Sequence, residues 1–332
     1  MSDQTKSPVR ADDYRKTIQH LLYNCGTLRP QEKLLILCDP TTRDFAMLFH
    51  EEAKRTAPAA ELFEIPVARA HGQEPPADAS RRMIGSDLII SLCQFSLAHT
   101  AARIEAGRRS GRFLSMPCYS WELLKNPALT VDYKKQAPIV RRISELFTKA
   151  SRVRVRTMAG TDVVLSAEGR AGNCCPGFVE NAGDLGSPPD IEANVSPVED
   201  RSEGKVVVDG SITCPELGLL TAPVVLTVRG GRITRFESEN KEYVRILDAM
   251  FEGLDSKRRV LAECGVGLNP EARLTGTMLT DEGALGCIHF GFGSNYTVGG
   301  RNKVDFHLDF VFRRGTLEID ELLVMQDGQL KI

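Results

Sequence analysis

The sequence predicts an α/β protein. A mostly parallel αβα domain is expected over residues 1–150, and an α+β domain rich in antiparallel strands over residues 151–332. Two observations lead there. In the first part, short uninterrupted apolar runs alternate with segments of helical periodicity, the pattern of βαβ units whose strands are buried on both faces. From Arg152 onward the period shortens to two, and turn signals recur between short strands.

The elements follow in order. Asp12 to Asn24 carries Tyr14, Ile18, Leu21 and Leu22 at helical spacing, and Leu34-Leu35-Ile36-Leu37-Cys38 reads as a buried strand. Thr41 to Arg55 is helical, Leu62 to Val67 a strand, and Asp87 to Leu92 another. Thr100 to Arg109 is a helix stopped by Gly111, and Phe113 to Met116 a fourth strand ending at Pro117. Pro138 to Ala150 is an amphipathic helix leading into the second part. There, Val153-Arg154-Val155-Arg156 alternates, and Lys205 to Asp209 is a strand. Val224 to Thr227 and Ile233 to Phe236 flank a hairpin signal at Arg229-Gly230-Gly231-Arg232. One helix, Lys241 to Gly253, interrupts before strands run from Lys303 to Lys331, with turns at Arg314-Gly315 and Asp327-Gly328.

Composition excludes several classes. Among 332 residues, 42 Lys+Arg against 44 Asp+Glu give a net charge of −2, which speaks against a nucleic-acid partner. No apolar run approaches the roughly 20 residues of a membrane span. Met1 to Asp13 lacks the basic-then-apolar order of a secretory leader. Nine cysteines lie scattered without a CxxC spacing; they read as reduced, mostly buried thiols of a cytoplasmic protein, with Cys174-Cys175 a loop feature. No Gly-rich phosphate fingerprint follows a strand of the first part.

His20, His50, His71 and His99 read as surface or hydrogen-bonded structural histidines. His289 and His307 differ. In Val304-Asp305-Phe306-His307-Leu308-Asp309-Phe310, strict alternation puts Asp305, His307 and Asp309 on one face and the apolar residues on the other. An imidazole and a carboxylate two residues apart on a strand form a metal-ligand pair, and equally the solvated face of a half-buried sheet. Three other segments place a polar side chain beside glycines or a following strand: Glu192 in Asp190–Pro197, Glu263 in Ala262–Pro270, and His289 in Gly286–Gly293, which runs into Ser294–Gly300. Cys264 and Cys287 flank two of these positions and read as buried thiols.

The order Glu-x-x-x-x-Pro, Ala-Glu-x-Gly-x-Gly-x-Asn-Pro, Gly-x-x-His-x-x-x-Gly-x-x-Tyr and His-x-Asp resembles the aminopeptidase T/PepS metallopeptidases over roughly Arg152 to Phe312. The resemblance implies a homodimer whose C-terminal domain carries the metal site. Glu192, Glu263, His289, His307 and Asp309 would hold two divalent cations (Zn, Co or Mn), with Glu263 also a candidate base and Tyr296 a donor to the oxyanion. The implied activity is hydrolysis of a peptide or small amide, with Asp305 or Asp200 available for a substrate amine. One departure is Ser196–Asp200, which replaces a Thr-Ala-Pro wording. The sequence is also similar to the 2,5-dihydroxypyridine dioxygenases at Thr297–Gly300 and His307–Asp309, which implies a single Fe(II) and ring cleavage. In that pattern a histidine stands where this chain has Glu263, and apolar residues stand where it has Glu192 and His289. The full five-residue set ranks the hydrolase first.

Overall fold

The computed structural model describes residues 12–332, and the expectation for Met1 to Asp13 falls almost wholly outside them. The chain divides into two compact units that are not contiguous in sequence. One comprises the chain up to Tyr133 together with Gly177–Pro188, the other Lys134–Pro176 together with Pro189–Ile332.

The first unit is built on a five-stranded parallel sheet. Its order is Glu61–Glu64, Leu34–Cys38, Leu88–Ser91, Arg112–Ser115 and Leu185–Gly186. The three middle strands are buried at every position, as their unbroken apolar runs require. Ala79 and Met83 of the helix Ala77–Ile84, and Ala102 and Ala106 of the helix Ala101–Arg108, pack on Leu35, Leu37, Ile89 and Phe113. The helix Ala77–Ile84 was not foreseen, because Arg81 and Arg82 interrupt its short apolar stripe. The edge strand Leu185–Gly186 is two residues long and enters from far along the chain, so no local period announces it.

The second unit holds two antiparallel sheets. One has eight strands, including the foreseen hairpin Val224–Arg229 and Arg232–Glu237 and the C-terminal strands. The other has seven, in the order Gly218–Leu219, Ser211–Ile212, His307–Phe312, Ile288–Gly293, Leu261–Gly267, Glu192–Val195 and Gly172–Cys175. Two local expectations change here. Cys174 and Cys175 lie in a strand, held by pairing with Ala193 and Glu192, where a loop was expected. Pro138 lies inside the helix Tyr133–Lys149 and does not begin it.

Alternation divides the seven-stranded sheet into an aromatic and a polar face. Phe290, Phe292, Phe310 and Phe312 are fully buried on the first, in edge contacts with ring centroids 5.2 and 5.4 Å apart. Phe251, from the helix Lys241–Phe251, joins them at 4.9 Å from Phe306 and 5.9 Å from Phe310. That apolar anchoring fixes the register of the three central strands, because a slip by one residue would put the rings on the polar face. Among the described residues, no helix is long and apolar enough to cross a membrane. Replacing Phe251 by Ala should cost about 3–5 kcal/mol, read as a lower denaturant midpoint with an unchanged slope.

Candidate metal centre

The polar face collects the candidate residues from four adjacent positions of the sheet. Glu192 leads the strand Glu192–Val195, Glu263 lies in Leu261–Gly267, His289 in Ile288–Gly293, and His307 and Asp309 in His307–Phe312. They converge into two groups that share one member. Glu192, Glu263 and His289 form one, and Glu263, His307 and Asp309 the other; within each, the ligating atoms lie within 4.8 Å of one another. The Glu263 carboxylate spans both, with Oε1 3.8 Å from His289 Nε2 and Oε2 3.5 Å from His307 Nε2. Glu192 Oε2 stands 3.1 Å from His289 Nε2, and Asp309 Oδ1 3.2 Å from His307 Nε2.

The neighbours aim these groups. Asn194, two residues along the same strand face, donates from Nδ2 to Glu192 Oε1 at 2.6 Å, and Asn173 Nδ2 donates to Asn194 Oδ1 at 2.7 Å. Asn173 Nδ2 also donates to the Val298 carbonyl of the Gly-rich loop at 3.1 Å. His307 Nδ1 donates to the Ser294 carbonyl at 2.8 Å, which turns Nε2 toward the carboxylates. Arg170 and Glu199 hold the same loop, through the Gly299 carbonyl, the Asn295 amide and the Arg301 N–H. Asn269 of the Gly-x-Asn-Pro wording donates to the Pro189 carbonyl at 2.7 Å, tethering the segment that leads to Glu192.

Two carboxylates the sequence reading passed over, Asp190 and Glu282, extend the cluster. Burial, and then the charges of Glu192 and Asp309 respectively, push both well above the usual carboxylate range. Glu282 ends the short helix Met278–Glu282, and Asp190 lies in an irregular segment; neither sits on a periodic pattern that would have marked it. Burial opposes charge on the two histidines, but the surrounding carboxylates outweigh it. His289 is held well above its ordinary value, chiefly by Glu192, and His307 is raised to about 10 by Asp309 and Glu263. Burial would raise Asp309, yet the His307 and His289 charges lower it to about 2, while burial raises Glu263.

The site fits a cation on its own structure. Asp190 Oδ1, Glu282 Oε1 and His289 Nδ1 are buried without hydrogen-bond partners, and such atoms are rare in folded proteins. An oxygen-rich set with two imidazoles is the donor mix that Zn, Mn, Co and non-heme Fe accept. The cluster is closed at His289, which is 1% exposed, and opens at His307, whose side chain is 33% exposed.

The remaining expectations resolve as follows. The strand begins at His307, so Asp305 precedes it and is exposed; Asp200 is exposed in a turn. Tyr296 is 59% exposed on the Gly-rich loop, its ring 5.3 Å from Lys303 Nζ. Cys264 and Cys287 are buried thiols pushed up to about 12 by burial, and burial, with Glu192 beside it, also holds Cys175 well above the ordinary thiol range. His20 and His50 contact the Val131 and Ala60 carbonyls, His71 accepts from the Ser96 N–H, and His99 is exposed.

The second unit thus carries a buried cluster of carboxylates and imidazoles that could hold a metal ion. The profile of the 2,5-dihydroxypyridine 5,6-dioxygenase family (NicX) matches residues 14–332, and the chain belongs to that family. It is 25% identical over 314 residues to the 2,5-dihydroxypyridine 5,6-dioxygenase of Pseudomonas putida KT2440, covering 88% of this chain and 87% of that one. The solved structure of the 2,5-dihydroxypyridine dioxygenase from Pseudomonas putida KT2440 superposes with a TM-score of 0.84 at 21% identity, over 97% of this chain and 98% of that one. Wild-type AmpT from Thermus thermophilus superposes with a TM-score of 0.72 at 14% identity, over 97% and 99% of the chains, and shows a shared fold alone. The ranking drawn from the sequence is corrected accordingly: the family places the dioxygenase ahead of the aminopeptidase.

The raised His307 pKa has a testable sign. In the cation-free protein, its stabilising contribution is complete below the unfolded value of about 6.5 and is lost as pH rises through about 10. The denaturation midpoint of chelator-treated protein should therefore fall between about pH 7 and pH 10, and His307→Ala should flatten that slope.

Proposed function

We propose that this enzyme is a metal-dependent, ring-opening dioxygenase acting on 2,5-dihydroxypyridine or a closely related hydroxylated nitrogen heterocycle. The family match along nearly the whole chain carries this reading. Toward a single Fe(II), the open half of the site would offer Glu263, His307 and Asp309, one imidazole and two carboxylates whose ligating atoms lie within 4.8 Å of one another, a donor mix that non-heme iron accepts. When bound, ferrous iron would supply the redox chemistry with dioxygen. The chain's own part is to present donors and control protons. His307 is fixed by the Ser294 carbonyl, Glu192 by Asn194, and Asp309 balances the His307 charge. The open side at His307 is where a small aromatic diol would approach.

One observation favours a second reading. Glu263 directs its two oxygens at two different histidines, each with a further carboxylate beside it, which is the layout of a two-cation hydrolase. There, Glu263 would take the proton of the attacking water, and Tyr296 would donate to the developing oxyanion of a peptide or small amide. Two Zn, Co or Mn ions would replace the single iron. The nine free cysteines and the near-neutral charge support a cytoplasmic enzyme with neither a membrane nor a nucleic-acid partner.

Loading with Fe(II) under nitrogen, followed by dioxygen and 2,5-dihydroxypyridine, should give stoichiometric oxygen uptake with loss of the aromatic absorbance. Glu263→Gln should lower that rate by about 100-fold or more. Cleavage of an unblocked dipeptide by Zn-, Mn- or Co-loaded protein, indifferent to oxygen, would reverse the ranking. We also propose a homodimer, for which light scattering at micromolar concentration should return twice the chain mass; a monomeric mass would refute it.

A further inference from the structure

Every one of the five clustered side chains stands across the ladder from a glycine. Glu192 faces Gly267, Glu263 and Asp309 both face Gly291, His289 faces Gly265, and His307 faces Gly293. Glycine weakens a strand interior, and these lie in two wholly buried central strands, so the positions need a reason.

The reasons differ. A Cβ on Gly267 would meet the backbone oxygens of Ala284 and Glu282, at 2.3 and 2.6 Å, and one on Gly293 the Phe306 carbonyl at 2.3 Å; these two make room for main chain. A Cβ on Gly265 would lie 2.1 Å from both Cε1 and Nε2 of His289 and 3.0 Å from Cδ2, so its three nearest atoms all belong to that ring. A Cβ on Gly291 would lie 2.6 and 2.7 Å from Nε2 and Cε1 of His307, and 2.8 Å from Asp309 Oδ1. His289 has the greater need of this space, because its ring is held by polar partners at Nε2 alone, whereas His307 is held at both nitrogens, Nδ1 by the Ser294 carbonyl and Nε2 by Asp309.

We propose that Gly265 and Gly291 are positioning residues that hold the two halves of the cluster separately. Gly265 seats the His289 ring beside Glu192, and Gly291 seats the His307–Asp309 pair. Each does so by lacking a side chain, and a single methyl group at either position displaces one half while leaving the other in place. The inference rests on reading the cluster as a cation site, and its test separates the two.

The steric part is read without metal, on chelator-treated protein. Gly265→Ala should lower the melting temperature by several degrees, and the same change in a His289→Ala background should lower it little, because the ring it strikes is gone. Equal losses in both backgrounds would overturn the seating of His289. The metal part is read by titrating Co(II) calorimetrically and following its visible absorption. Gly265→Ala should lose uptake at the His289 half and keep the absorption of the His307–Asp309 half, and Gly291→Ala should do the reverse. Wild-type uptake and spectrum in both variants would overturn the proposal. Absence of Co(II) uptake by the wild type, with the stability cycle as expected, would contradict the cation reading while upholding the seating of the ring.

Discussion

The arrangement depends on one electrostatic constraint: carboxylates buried on the face of a β-sheet must be matched by positive charge. Glu192, Glu263 and Asp309 are each less than a tenth exposed, and Asp190 adds a fourth buried carboxylate. Without a cation, two imidazoles carry the compensation, and both are held protonated well above their ordinary range. Cation binding would displace those protons and pair the same carboxylates with a higher charge at shorter distance. The opposite face of the sheet makes this possible. Its edge-packed phenylalanines supply the apolar anchoring that lets the polar face remain so poorly compensated on its own.

Much of this was legible in the sequence, for physical reasons. Buried parallel strands leave unbroken apolar runs, and Leu34–Cys38 was read to its boundaries. The antiparallel hairpin at Gly230-Gly231 followed from its turn residues. His307 and Asp309 followed from the period of a strand. Glu192, Glu263 and His289 did not come from periodicity: they were read from motif order, and the sheet brings them together across strands remote in sequence. What escaped has no local period. Glu282 reaches the cluster from a five-residue helix, and Asp190 from an irregular segment whose position is set by Asn269. Tyr296 was read from motif spacing alone, and the structure places it 59% exposed on the glycine-rich loop.

The likeness to a dioxygenase and to an aminopeptidase reflects what the scaffold offers. Four neighbouring strand positions present donors to a common volume, and exchanging one donor changes which cations fit and how many. Glu263 is the position where that choice is sharpest, since its two oxygens face different histidines. A histidine there could serve only one of them with a single nitrogen. The family match places the chain among the dioxygenases, while under the proposed reading the chemistry turns on the occupancy of the volume around Glu263.

Anomalous scattering from crystals of the cation-loaded protein tests the central claim most directly. The account predicts density between the Glu263 carboxylate and the imidazole Nε2 atoms of His289 or His307, with ligand distances of about 2.0–2.3 Å. Full loading with no anomalous peak within reach of Glu263 would contradict it.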